Sequence, residues 1–400
     1  MGVRVLMLVA TAVANDTRVL REATALVRAG HAVHVVGFGV PPGFAPPDGV
    51  TVSSAGRRAR ASRPETPGAV VPTSAARRAR PLWWRGARWL LLPEHRARAF
   101  GRWAREAYAD ATDRRFDVVH AHDFNTLELG DRLAREHGVP LVYDSHELWF
   151  GRPVVGRPTP LRDARGRRTE ARLGSRADAV VTVGEGVAEA LEDAYGWRDV
   201  RVVRNTFAVL PPPTAPLVPA RLLYAGRLAP YRELEVVAAA SRDLPLPVDI
   251  LGPADETWLR DFDPGAARVL DAVPADEVSW LLRGAGVALV THSDRWPNHR
   301  LAMPNKLFQA VAAGVPVVAT DVGELATLVR GYRLGALYRP GDPASLVAAV
   351  ADVLAGYDRY AAAVRVAAAS LTWPADERML LDVYAGLPTG PNHLTRSRVP

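Results

Sequence analysis

Short apolar runs, each closed by a glycine or a polar turn and followed by an amphipathic stretch, recur from end to end of this chain. The runs do not alternate apolar with polar residues, which predicts strands buried on both faces, as in parallel sheets. One series comprises Arg4–Ala10, His31–Phe38, Phe116–Asp123, Pro140–Glu147, Asp178–Gly184 and Val200–Asn205. Helices fall between its members: one capped by Asn15 or Asp16 and stopped by Gly30, one from Asn125, one near Thr169–Arg176 and one from Glu185. A second series begins with Ala220–Arg227. It continues through Pro247–Gly252, Arg268–Val273, Gly286–His292, Val315–Gly323 and Gly335–Pro340. Helices over 343–355 and 357–369 and a final amphipathic helix over 372–387 close the chain. Between the series lies VLPPPTAPLVP, Val209–Pro219, a semi-rigid proline linker. The pattern predicts an α/β protein of two doubly wound domains, 1–208 and 220–371, with a crossover helix at 372–387 and a tail over 388–400. In such sheets ligands bind at the strand C-termini.

The stretch 43–111 breaks the pattern. Gly43–Pro81 is rich in proline, serine and arginine and reads as a loose insertion. Leu82–Ala111 instead crowds Trp83, Trp84, Trp89 and Leu90–Leu92 among arginines. The net charge of +7 is concentrated here: Arg57–Arg115 holds fifteen arginines against five acids. Two readings stand side by side. Residues 82–105 form an interfacial helix for acidic lipid headgroups, or a core helix with solvated arginines. No nucleic-acid motif accompanies the basic stripe, so nucleic acid is not expected as a partner. The chain has no cysteine, which excludes disulfide scaffolds and thiolate metal sites and fits a reducing, cytoplasmic setting. Met1–Ala14 is expected to be the first buried strand rather than a signal peptide.

Candidate chemistry gathers at predicted strand ends. Leu289–Gly323 reads as strand, polar loop, helix, strand, with Pro304 as the first helical residue. The helix start beside a Ser/Asn/His-rich loop suits an anion such as phosphate. Lys306 lies there, the single lysine among 50 basic residues. Arg227 and Arg232 in AGRLAPYR would complete a diphosphate clamp with it. In the first series, His120, His122 and Asp123 sit at one strand end, and Asp144, His146 and Glu147 at the next. An H-x-H pair faces one way only if its strand continues, and without an assured third ligand no metal is assigned. Asp261-Phe262-Asp263 is taken as chance. GFGVPPG follows the second strand and opens no helix, so it is not a dinucleotide fingerprint.

Several stretches together resemble the large retaining GT-B glycosyltransferase family often called glycosyl transferases group 1. They are Asn15–Val36, DVVHAHDFNTL, YDSHEL, VRNTF, AGRLAPYRELE, PNKLFQAVAAGVPVVATDVGE and the terminal W-x-x-x-x-x-x-L-L-x-x-Y helix. The resemblance implies two Rossmann-like domains facing a cleft, the last helix crossing back to the first. The N-terminal domain would bind a carbohydrate or lipid-linked acceptor and the C-terminal one a nucleotide-diphosphate sugar, with no cofactor. It implies catalytic roles for His122, Asp16, Lys306 and Arg227. Donor contacts would come from Asn15, Arg227, Arg232, Asn305, Lys306, Gln309 and Gly323. The family's paired glutamates are absent: Leu301 and Gln309 stand in their places. A non-catalytic binding protein of the same fold is therefore the alternative.

Overall fold

The computed structural model describes residues 2–56, 82–152 and 157–388, apart from the side chains of Asn15, Leu82 and Arg85. The first half runs β1 (Arg4–Val9), α1 (Thr17–Arg28), β2 (Ala32–Phe38), β3 (Val50–Ala55), α2 (Leu82–Thr112), β4 (Val118–His122) and α3 (Phe124–His137). It goes on through β5 (Leu141–Ser145), α4 (Pro160–Gly174), β6 (Ala179–Thr182), α5 (Glu185–Tyr195) and β7 (Arg201–Val202). These strands form one seven-stranded sheet in the order β3-β2-β1-β4-β5-β6-β7. Val5–Val9, Val119 and Val142 are almost wholly buried, as expected for strands covered on both faces.

The second half runs β8 (Arg221–Ala225), α6 (Leu234–Ala240), β9 (Val248–Leu251), α7 (Glu256–Leu259), β10 (Arg268–Leu270), α8 (Val278–Ala285) and β11 (Gly286–Val290). Next come α9 (Pro297–Leu301), α10 (Asn305–Ala313), β12 (Val317–Thr320), α11 (Gly323–Tyr332) and β13 (Gly335–Tyr338). Three helices end it: α12 (Pro343–Ala355), α13 (Tyr357–Ala367) and α14 (Trp373–Ala385). The sheet order is β10-β9-β8-β11-β12-β13. Both orders reverse direction beside their first strand, the mark of doubly wound folds whose ligand sites lie at that switch point.

The chain divides into two compact units. The first comprises Met1–Val181, Leu191–Arg201 and Leu380 onward; the second comprises Thr182–Ala190 and Val202–Met379. The division falls inside α14. Residues 389–400, most of the expected tail, lie outside the described residues.

The loose insertion expected over 43–81 needs correcting. Val50–Ala55 is the edge strand β3, in parallel register with β2 from Val33↔Val50 to Phe38↔Ala55. Its sequence, VTVSSA, is half polar because only one edge and part of one face are covered. Residues 57–81 lie outside the described residues. The helix after them is part of the domain, because its C-terminal half packs onto β2 and β3. Trp103, Ala107 and Ala111 are fully buried there. Ser53 donates to the Asp110 carboxylate at 2.8 Å, and the Gly56 N–H donates to Glu106 at 2.6 Å. The N-terminal half of α2 contributes nothing to this core.

This asymmetry is testable by urea unfolding. Trp103→Ala is expected to cost about 3–5 kcal/mol, as for a large buried aromatic. Trp83→Ala, at the exposed end of the same helix, is expected to stay within about 0.5 kcal/mol of wild type.

Candidate functional site

Parallel strands deliver all their C-terminal ends to one edge, so residues far apart in sequence meet there. In the first unit β4 continues through His122, with Met7↔His120 and Val9↔His122 in register with β1. The condition on the H-x-H pair is therefore met. His120 and His122 share a face, their rings stacked with centroids 4.3 Å apart. On β5, Asp144 is the register neighbour of His122, and its Oδ2 lies 3.2 Å from His122 Nδ1. Arg18 reaches in from α1 and grips Asp144 with two hydrogen bonds of 2.9 and 2.8 Å. It also pairs with Glu22 one turn along, at 3.1 Å. His146 Nε2 lies 3.1 Å from Asp144, while its Nδ1 lies 3.5 Å from Asp123. Behind them the Tyr384 hydroxyl meets His120 Nδ1 at 2.9 Å.

Burial sets the charge states. It disfavours the Asp144 carboxylate, but Arg18 and His146 outweigh it and hold the group well below the usual range. Burial likewise opposes a charged His146, yet Asp123 and Asp144 raise its pKa to about 10. Glu22 is pushed up, mainly by desolvation. His120 is pushed well down, by burial first and then by His122. His146 is thus an imidazolium, and His122 stands between charged partners with Nε2 unbonded. The backbone at Asp123 is strained, with φ 67° and ψ 160°, a region nearly reserved for glycine. Such strain collects at functional sites because the surrounding structure must hold it in place.

Other expected residues have structural partners. Asp16 caps α1, accepting from the Val19 N–H at 3.2 Å and from the Thr11 hydroxyl at 3.0 Å. Asn15 sits in the turn before it, its side chain outside the described set. Glu22, His120, His122 and Asp144 each bring one donor atom within 4.8 Å of the others, close enough to share a cation. Arg18 already supplies a positive charge to two of them.

The second unit holds a cluster of opposite character. Pro304 is the cap rather than the first residue of α10, so the helix begins at Asn305. Its ψ of 134° is extended and no side chain caps the helix, while the Leu307 N–H in the first turn bonds the Pro304 carbonyl at 2.9 Å. Lys306 is buried, its ammonium 4.7 Å from the Tyr224 ring centroid. Gln309 follows one turn on, also buried. Asn305 is exposed and accepts a hydrogen bond from Asn205 at 2.8 Å. Among the described residues no ion pair includes Lys306, Arg227 or Arg232. Burial, with Arg232 adding repulsion, lowers Lys306 to about 7. Burial together with Lys306 and Arg232 drives His292 down to about 2. Arg232 is bracketed by Tyr231 and Glu233, both left-handed at φ 66° and 58°. Tyr231 packs edge-on against Trp296 at 4.7 Å, and Arg295 lies over both rings. Arg227 is exposed just after β8, where its carbonyl accepts from the Tyr224 hydroxyl. Gly323, at φ 42°, starts α11 so close to Arg300 that a Cβ would fall 1.9 Å from the Arg300 carbonyl oxygen.

The structure thus joins Lys306 with Arg232 and His122 with Asp144 and His146. Sequence reasoning missed Arg18, Glu22 and Tyr384 in the first cluster and Tyr224, Tyr231, His292 and Trp296 in the second. An i,i+4 Arg–Glu pair within α1 was the available signal for Arg18, but such pairs usually lie in solvent.

The chain belongs to the GT-B glycosyltransferases. The Glycosyl transferase 4-like domain profile matches residues 16–206, and that of the Glycosyl transferases group 1 matches residues 219–356. It is similar to D-inositol 3-phosphate glycosyltransferase of Geodermatophilus obscurus, 30% identical over 313 residues, covering 67% of this chain and 66% of that one. It is also similar to glycogen synthase of Mycobacterium tuberculosis, 30% identical over 281 residues and covering 65% of each. The matched region thus spans just under two thirds of these relatives. In fold it resembles sucrose-phosphate synthase of Thermosynechococcus elongatus, with a TM-score of 0.68 and 16% identity over 96% of this chain and 98% of that one. Anabaena HepE in complex with UDP-glucose gives a TM-score of 0.65 at 15% identity, covering 96% of this chain and all of that one.

Two measurements probe the clusters. Asp144→Asn leaves Arg18 buried with its main partner neutralised, and denaturant unfolding is expected to show a loss of about 3 kcal/mol or more. Burial and Arg232 lower the Lys306 pKa to about 7, so a bound anion must supply the energy to keep it protonated above that pH. Affinity for a diphosphate diester, whose own charge is constant, is expected to fall as pH rises from 7 to 9. Calorimetric titration should find Lys306→Ala weaker at pH 7 and flat across the same range.

Proposed function

We propose that the protein transfers a sugar from a nucleotide-diphosphate donor to an acceptor, with retention of configuration and without a metal. The observation that carries this reading is the cluster of cations around Lys306, which has no carboxylate partner among the described residues. Buried positive charge without an answering carboxylate is unfavourable until an anion arrives. A diphosphate suits the span from an exposed Arg227 to a buried Lys306. As the sugar's C1–O bond to the diphosphate breaks, negative charge grows on the leaving oxygen. Donors fixed in advance stabilise that charge more in the transition state than in the ground state. In this reading the second unit holds the nucleotide diphosphate, with Asn305, Gln309 and Gly323 around it. The first unit receives the acceptor, a carbohydrate or a lipid-linked one, near His122. His122 Nδ1 faces both Asp144 Oδ2 and His146 Nε2 at 3.2 Å, which fixes the ring, and its Nε2, without a partner among the described residues, is the atom left to meet a sugar hydroxyl. Membership of the family and glycosyl transfer by the 30%-identical relatives support the reading.

A second reading is favoured by Leu301, an apolar side chain where the family carries a sugar-contacting glutamate. It is a protein that binds nucleotide sugars without turning them over. A thermal-shift panel of nucleoside diphosphates and their sugars identifies the ligand under either reading, because binding to the native state alone raises Tm.

With that donor, Lys306→Ala is expected to lower turnover on the order of a hundredfold, as for loss of one oxyanion donor. Lys306→Arg should restore part of the rate, since a planar fork does not fill an ammonium's position. Wild-type turnover by Lys306→Ala would overturn the clamp. Donor binding without transfer or hydrolysis, on wild-type protein, would favour the second reading.

A further inference from the structure

Helix α2 is 31 residues long, about 46 Å, beside strands of five or six residues that span about 20 Å. Its C-terminal half covers the sheet and leads into β4. Pro93 interrupts the helix, and because the half after it runs over the sheet into β4, the half before it lies at the edge where the strands end, the edge that carries His122. The residues that face the core recur along it at Trp103, Ala107 and Ala111. Stepping back by threes and fours, the same stripe continues through Phe100, Ala97, Pro93, Leu90, Gly86 and Trp83. It stays apolar although, among the described residues, all of it but the half-buried Pro93 is exposed. Trp83 is 72% exposed, and Trp89 and Leu90 are each 52% exposed. A helix end that merely overshot into water would have no reason to keep the stripe.

A second element extends the patch. Leu161, 87% exposed, opens α4 beside the overhang. Its neighbours Arg157 and Arg162 both reach Glu94 of α2, at 3.2 and 2.7 Å, and bond the carbonyls of Leu90 and Pro93. Glu94 is the only acid in residues 82–105, and these arginines hold it. Arg88, Arg96, Arg98 and Arg102 remain exposed along the flank of the stripe.

We propose that the overhang of α2, with the start of α4, docks on an anionic membrane surface. Tryptophan and leucine would enter the headgroup boundary while the flanking guanidiniums meet lipid phosphates. Charge separates this occupant from the others. A second copy would set one arginine-rich helix against another. Residues 57–81 carry seven arginines against one acid, the same sign of charge as the patch. The docked edge is the one bearing His122, which suits an acceptor presented at a membrane. The surface itself stands independently of sugar transfer.

The test is flotation of the whole chain with phosphatidylcholine vesicles containing or lacking phosphatidylglycerol, at low and high salt, without any donor. Wild type is expected to bind the anionic vesicles, more weakly as salt rises, with a blue shift of tryptophan emission. Trp83→Ser/Trp89→Ser/Leu90→Ser, all at exposed positions, should weaken that binding on the order of tenfold. It should leave Tm unchanged. Arg88→Glu/Arg96→Glu/Arg98→Glu should remove the preference for anionic lipid. Equal binding by wild type and the serine variant would overturn the proposal, as would no binding to anionic vesicles. Sedimentation showing a wild-type dimer that the serine variant loses, without vesicle binding, would assign the patch to a second copy instead.

Discussion

A charge removed from water must be answered by another charge or by a ligand, and the two halves of this chain meet that requirement in opposite ways. In the first unit the answer is internal. Arg18 sinks its guanidinium against Asp144 and Glu22, and His146 stays protonated between Asp144 and Asp123. Removing one member of such a set leaves the rest uncompensated, so the cluster is rigid as a group. That rigidity places the His122 ring, which is stacked on His120 and faces Asp144. In the second unit the cations around Lys306 have no such answer among the described residues. There the protein sustains an electrostatic deficit, and a ligand with the right charge removes it.

The strands of both sheets were readable because short continuous apolar runs have one main explanation in an α/β chain. The edge strand β3 was not, since its half-polar sequence follows prolines and carries little burial signal. Lys306 was legible for a compositional reason, as the sole ammonium among guanidiniums. Arg18 was illegible for the converse reason. An arginine on an amphipathic helix usually lies in solvent, and only the fold reveals that this one turns inward to Asp144. His122 was legible as half of an H-x-H pair. Its tautomer was not, because that depends on a register neighbour, Asp144, supplied by another strand. Residues of one strand announce themselves; the partner across the ladder appears only when the sheet is built.

Helix α2 shows a related ambiguity. Its sequence supported both a core helix and an interfacial one, and the helix is divided along its length. Trp103 is buried against the sheet, while Trp83 is exposed beyond it. Composition alone does not separate the two, because the same apolar stripe serves both halves. What separates them is the short reach of the strands, a property of the sheet rather than of the helix.

The Lys306 cluster also depends on where side chains are absent. A Cβ at Gly226 would come within 3.2 Å of the Lys306 side chain. A Cβ at Gly252, with φ at 143°, would fall 2.0 Å from the Gly226 carbonyl oxygen. The turn after β9 can therefore close on the turn after β8 only with glycine at 252. That closeness leaves the lysine stem room to lie against backbone, with its ammonium over Tyr224. Tyr224 in turn ties its hydroxyl to the Arg227 carbonyl at 2.9 Å, fixing the start of the loop that carries Arg227 and Arg232. The buried lysine, the tyrosine beneath it and the arginine loop are thus held by one arrangement of backbone. A larger residue at Gly252 would push the Gly226 backbone, and with it the Lys306 stem, out of this arrangement.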